Sequence, residues 1–191
     1  MPLPRSKKTY DPASLYEYAV GALGRRMRTV AELKRLLRQR NVEGDKEAAI
    51  EAVVLKLKDQ KYLNDTRYAE MYSLTRRDSQ KLGRGRVVTD LKARGVHGEV
   101  IEKAVGSIYS GVDEEKLARE FLAKKRLKKP TLPKRGDLAS VKQSQKETAR
   151  IFRALAHAGF RMGTIMKILK NWDVEDEVLT ALEEENASGG L

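Results

Sequence analysis

Apolar residues recur along this chain with a helical period, and the recurrence repeats three times. Ile50, Val53, Val54 and Leu57 fall at i, i+3, i+4 and i+7, which is one face of an α-helix. The spacing returns as Ile101, Ala104, Val105 and Ile108, and again as Ile165, Ile168, Leu169 and Trp172. A shorter pattern precedes each stripe. Leu37, Leu91 and Leu155 each stand four residues before Asn41, Gly95 and Gly159, and Val42, Val96 and Phe160 follow. Gly and Asn tolerate the left-handed backbone just past a helix C-terminus. Each unit therefore predicts a helix, a tight stop, an apolar plug and then the stripe helix. A further helix is expected before each pair, marked by Tyr18-Ala19, Tyr68-Ala69 and Leu117-Ala118.

The expected fold is all-α: three tandem three-helix modules over 12–60, 63–109 and 113–173, forming an elongated, curved helical-repeat body. Helices this short are marginal alone, so stability must come from burying the stripes within and between modules. The punctuation agrees. Thr29-Val30-Ala31-Glu32 is a capping box, Asn64 or Asp65 can cap the helix near Thr66, and Asp113 can cap the next. Proline stands at 2, 4, 12, 130 and 133, outside every predicted helix interior. No segment alternates with a two-residue period, so no sheet is expected. The stretch 128–146, with Pro130, Pro133 and Gly136, breaks the pattern and predicts a mobile linker inside the third module. Residues 174–191 predict an acidic, partly disordered tail.

Charge narrows the partners. The net charge is +12 over 191 residues, yet all seven ionisable residues from Asn171 to Leu191 are acidic. Residues 1–170 thus hold all 39 basic residues against 20 acidic ones, a net +19. So basic a body suits a polyanion or an acidic protein surface. The first basic run is Arg76, Arg77, Lys81, Arg84, Arg86, Lys92 and Arg94; Lys124, Lys125 and Arg126, with Lys128 and Lys129, form a second. Val87, Val88 and Leu91 are the expected anchors of the helix after Gly85, which leaves positions 84, 92 and 94 off the core face. Gly83-Arg84-Gly85-Arg86 reads equally as a loop and helix start or as a set of amides and guanidiniums for a phosphate. It lacks the G-x-x-x-x-G-K-[ST] pattern of a nucleotide-hydrolysis loop.

Cysteine is absent and only two histidines occur, so no metal site, cofactor or catalytic constellation is expected. No apolar run approaches the ~18–20 residues of a membrane span. Met1 to Tyr10 lacks the apolar stretch of a signal peptide, and the expected location is cytoplasmic.

Four ordered segments resemble the RecX family. Tyr62-Leu63-Asn64-Asp65-Thr66-Arg67-Tyr68-Ala69 resembles its YLDDxRFA signature. Leu82 to Arg86, then Leu91 and Gly95-Val96, resemble G-x-x-R-I-x-x-x-L-x-x-x-G-I. Arg28 to Leu33 resembles R-S-x-x-E-L, and Leu155 through Gly159-Phe160 to Ile165 resembles L-x-x-x-G-F-x-x-x-x-I. The departures are Lys61 in place of a common Gly, Asn64 in place of Asp and Val87 in place of Ile. The resemblance covers about 12–173. It implies a non-enzymatic, monomeric modulator that lodges in the groove of the RecA–DNA filament and inhibits recombination, repair and the SOS response. The implied partners are RecA and the single- or double-stranded DNA within the filament. The alternative is an autonomous DNA-binding protein that acts on recombination indirectly. The two basic runs are the candidate contact residues in either case.

Overall fold

The computed structural model describes residues 9–133 and 136–187. The fold is all-α, as the sequence predicts. Among the described residues the helices are α1 (Pro12–Arg25), α2 (Val30–Arg38), α3 (Lys46–Asp59), α4 (Asp65–Gln80), α5 (Arg84–Ala93), α6 (Gly98–Tyr109), α7 (Glu114–Lys124), α8 (Leu138–His157), α9 (Met162–Lys170) and α10 (Asp176–Ala187). None is long and apolar enough to cross a membrane.

The three stripes are buried. Ile50, Val53, Val54 and Leu57 face inward from α3, Ile101, Ala104 and Val105 from α6, and Ile165, Ile168 and Leu169 from α9. Ile108 and Trp172, the last member of the second and third stripes, are half-buried. Ala19, Ala69 and Ala118 are fully enclosed on α1, α4 and α7. The starts follow the capping chemistry: Thr29 Oγ1 accepts from the Glu32 amide at 3.0 Å while the Glu32 carboxylate accepts from the Thr29 amide. Asn64 caps α4 through the Arg67 amide at 2.9 Å. Asp65 serves another end: its carboxylate accepts from the Val30 amide at the start of α2, and its burial pushes the acid's pKa up.

The chain forms two compact units. The first comprises 1–72 and 90–107, the second 73–89 and 108–191. The boundary cuts α4, α5 and α6, so the helices expected as the middle module are shared between the units. The reason lies in a joint that occurs once in each unit. In the first, the left-handed turn at Gly95 (φ +75) sits against the start of α2, so close that a Cβ there would lie 2.5 Å from the Ala31 Cβ. Thr29 Oγ1 also donates to the Arg94 carbonyl at 2.7 Å. In the second, the turn at Gly159 (φ +82) sits on the start of α5, where a Cβ would fall 2.0 Å from the Arg86 nitrogen. The Gly83 and Gly85 amides donate to the Ala158 and Gly159 carbonyls at 2.8 and 3.0 Å. Only glycine permits both the backbone angle and the approach.

Asn41, the counterpart of these glycines in the first module, behaves differently. It is absent from the left-handed residues and begins a two-residue strand, β2 (Asn41–Val42), paired in parallel with β1 (Thr9–Tyr10). The register is Thr9 with Asn41 and Tyr10 with Val42. The absence of any sheet is thus corrected by one small bridge, too short for alternation to reveal.

Two further expectations meet helices. α8 begins at Leu138 and so takes in 138–146, which the sequence assigned to the linker. Asp137 starts it by accepting from the Ala139 and Ser140 amides. Its first turns are largely exposed and polar, and the buried residues Thr148, Ile151, Phe152 and Leu155 come only later, so no apolar period marks the beginning. Within the acidic tail, α10 packs on α8 and α9 with Leu179 and Leu182 buried in the core of the second unit. Residues 188–191 lie outside the described ones.

Candidate functional site

In the second unit the C-terminal ends of α4 and α7 meet. Lys81 pairs with Glu120 of α7 at 2.8 Å, and the Lys124 ammonium donates to the Ser79 carbonyl at the end of α4. Residues from the two basic runs, about forty positions apart in sequence, are thereby joined. Both helices stop at a left-handed residue. Lys81 (φ 58) follows α4 and Arg126 (φ 55) follows α7 in left-handed backbone. The next residues, Leu82 and Leu127, donate back to the Arg76 and Leu122 carbonyls. At α7 this is the closure that glycine usually supplies, and at α4 the bond reaches one residue further back. A Cβ costs about 1–2 kcal/mol there, yet both positions carry a cation. Lys125, at the cap of α7, and Arg126 are exposed, and the Lys125 ammonium lies 5.9 Å from the Phe121 ring centroid.

The remaining members of the first run divide. Arg77 is committed internally. It donates to the Ile108 carbonyl at 2.6 Å and pairs with Asp78 at 2.7 Å, a contact that raises its pKa and holds the aspartate below its ordinary value. Arg76 and Arg84 are half-buried and Arg86 is exposed. The Arg84 Nε is buried, so position 84 is only partly off the core face. At Gly83-Arg84-Gly85-Arg86 the turn of Gly159 takes the amides of both glycines. The phosphate reading of this segment loses those two donors and keeps the side chains of Arg84 and Arg86.

Lys92 and Arg94 belong to the first unit. Lys92 is exposed. Arg94 donates to Glu32 at 2.6 Å, and its guanidinium lies 5.0 Å from the Tyr72 ring centroid. Burial works against its charge, but hydrogen bonds to Tyr72 and Glu32 outweigh it and the pKa rises. The Tyr72 hydroxyl also donates to Asp90 at 2.9 Å. The expectation that position 94 lies off the core face is therefore corrected: Arg94 ties α5 to α2 and α4.

One cation beside the second run, Arg150, was missed. Arg126, Lys128, Lys129 and Arg150 line one cleft. Arg150 lies on α8, some two dozen residues past Arg126, and only the fold brings it there. His97 and His157 are exposed, and among the described residues no three His, Cys, Asp or Glu side chains group as a metal site would need.

The second three-helix domain of RecX matches residues 64–105, inside the stretch 63–109 read from spacing. The regulatory protein RecX of Myxococcus xanthus is 31% identical over 175 residues, which cover 87% of this chain and 89% of that protein. The chain belongs to the RecX family. The RecX of Amycolatopsis mediterranei is likewise 31% identical, over 154 residues that span 81% of this chain and 80% of the relative. Crystallised RecX from Lactobacillus salivarius shares the fold, with a TM-score of 0.61 at 20% identity over 85% of this chain and 96% of its own. The Myxococcus and Amycolatopsis relatives are named as regulatory proteins.

Proposed function

We propose that this protein binds the RecA filament and inhibits the recombinase without catalysing a reaction, acting as a cytoplasmic monomer. Membership of the RecX family supports RecA as the partner. The carrying observation is that Lys81 and Lys124 meet where α4 and α7 end, through Glu120 and the Ser79 carbonyl, with Lys125 and Arg126 exposed just beyond Lys124. Two of these positions keep a cation where backbone geometry favours glycine. Lys61 and Asp173 share this backbone elsewhere in the chain, so it is the gathering of cations at one place, not the strain, that marks the cluster. The cluster is our choice of contact for acidic RecA surface or for phosphates of the DNA it coats, with Arg76, Arg84, Arg86 and Lys92 as secondary candidates.

The test is a titration into RecA ATPase and strand-exchange assays. The parent protein should suppress both, and the K124E/K125E/R126E variant should suppress neither while keeping its helicity. Full inhibition by the variant would remove this cluster from the site, and an inert parent would end the RecA reading. The body charge of +19 favours one further reading, direct binding to DNA, which a binding assay without RecA separates.

A further inference from the structure

The seven acids of the C-terminal segment are not a free tail. Asp173 pairs with Lys129 at 2.8 Å, Asp176 with Lys170 at 3.2 Å and Glu185 with Arg153 at 2.8 Å. The segment is anchored between these pairs by Leu179 and Leu182, which are buried in the core formed with α8 and α9. Three of its seven carboxylates are therefore held against particular cations.

Two of those cations, Lys129 and Arg153, continue an open basic surface. Lys129 lines the cleft with Arg126, Lys128 and Arg150, and the one acid in the lining, Glu147, accepts from the Thr131 amide. Arg153 follows Arg150 by three residues on α8, so the two are neighbours on one helix face. Lys128, Arg150 and Arg153 are exposed, and the apolar cleft residues Leu127 and Ile151 are half-buried and buried. Protein interfaces centre on apolar anchors, whereas surfaces for a nucleic-acid backbone are polar and cationic. This face is of the second kind.

We propose that Arg126, Lys128, Lys129, Arg150, Arg153 and Lys170 form a phosphodiester-binding face, and that the acidic C-terminal segment occupies part of it in cis. The carboxylates of Asp173, Asp176 and Glu185 stand where phosphates would bind and lower the face's affinity for nucleic acid. All three pairs are solvent-exposed, with side-chain exposures of 42–83%. Exposed pairs are weak, so phosphates can replace the carboxylates while Leu179 and Leu182 keep α10 docked.

The test measures binding of the full chain to a labelled oligothymidylate over a salt series, without RecA, so its outcome is separate from that of the RecA titration. D173N/D176N/E185Q releases Lys129, Lys170 and Arg153. E177Q/E183Q/E184Q removes the same charge from exposed acids of α10 outside the pairs. Three released cations at about 0.7 each should steepen the slope of log K against log salt by about 2 in the first variant. Affinity at low salt should rise roughly tenfold, a difference of ~1.4 kcal/mol. The second variant should gain much less in both. Equal gains would reduce the effect to net charge, and no gain would remove the face; either result overturns the proposal. Polyglutamate serves as the acidic-polypeptide probe, and a gain for it as large as for the oligonucleotide would also overturn it.

Discussion

Arg126 stops α7 in left-handed backbone at φ 55, a conformation that glycine adopts freely. If it is kept for its charge, fold and function should respond in opposite directions. Arg126→Gly is expected to stabilise the protein by about 1 kcal/mol, since the Cβ penalty disappears. The same variant should weaken filament binding. Denaturant melts and filament co-sedimentation measure the two sides, and a loss of stability would mean that the arginine is held there by packing. Gly159 is the reverse case. At φ +82 and with the Arg86 nitrogen 2.0 Å from where a Cβ would be, Gly159→Ala should cost at least about 2 kcal/mol. Gly163, on α9 with open space around it, should gain up to about 1 kcal/mol from the same change. At this scale the sequence is only half legible. Gly95 and Gly159 announce left-handed stops, because that is a local property. It is silent that each stop presses on a helix start more than sixty residues away. That silence is why Gly83 and Gly85 read equally well as a phosphate loop.

Between elements, ion pairs do the local fastening, and their positions decide which surface charges are free to act. Lys92 and Arg94 are neighbours on the exit of α5 with different tasks. Lys92→Glu changes an exposed cation and should leave stability within about 0.5 kcal/mol of the parent. Arg94→Glu loses the partner of Glu32 and the contact with Tyr72 and sets two carboxylates together, so a loss of roughly 1–3 kcal/mol is expected in thermal melts. Equal melting temperatures would show that the Arg94 tie contributes nothing. Several glutamates share this fastening role. Hydrogen bonds hold Glu47 with Arg38, Glu115 with Lys167 and Arg119, and Glu120 with Lys81 below the ordinary value of 4.5. A depressed folded-state pKa gives a contribution present above the unfolded value and lost as pH falls through the folded one. The melting temperature should therefore vary little from about pH 7 to 5.5 and decline below about 4.5. A decline already complete above pH 5 would point to other groups. The stripes of α3, α6 and α9 were legible because a packed helix face must repeat with the helical period. The start of α8 was not, because its exposed polar turns carry no such period and proline and glycine dominate the residues before it.

For the whole molecule, spacing finds three modules whereas contacts find two units, and the joints reconcile them. The periodic stripes define a module by what each helix buries locally. The glycine turns bind the second helix of one module to the second-helix exit of the next, once at Gly95 on Ala31 and once at Gly159 on Arg86. Each joint is confined to one unit, and the middle module supplies helices to both. This division is not legible in the sequence, since nothing local at Ala31 or Arg86 marks the partner turn. It has a consequence for how the molecule opens. Local unfolding proceeds in contiguous cooperative pieces whose free energies differ across a structure. A substitution at one joint should then loosen its own unit first. In Gly159→Ala, native-state hydrogen exchange should accelerate at the amides of α7, α8 and α9, which surround the strained turn. Exchange in α1, α2 and α3 should stay at the parent rate under conditions where global unfolding is rare. Gly95→Ala should show the converse, with α2 accelerated and α8 and α9 spared. Uniform acceleration throughout either variant would mean that the two units open as one, and that α4, α5 and α6 transmit the loss across the boundary they span.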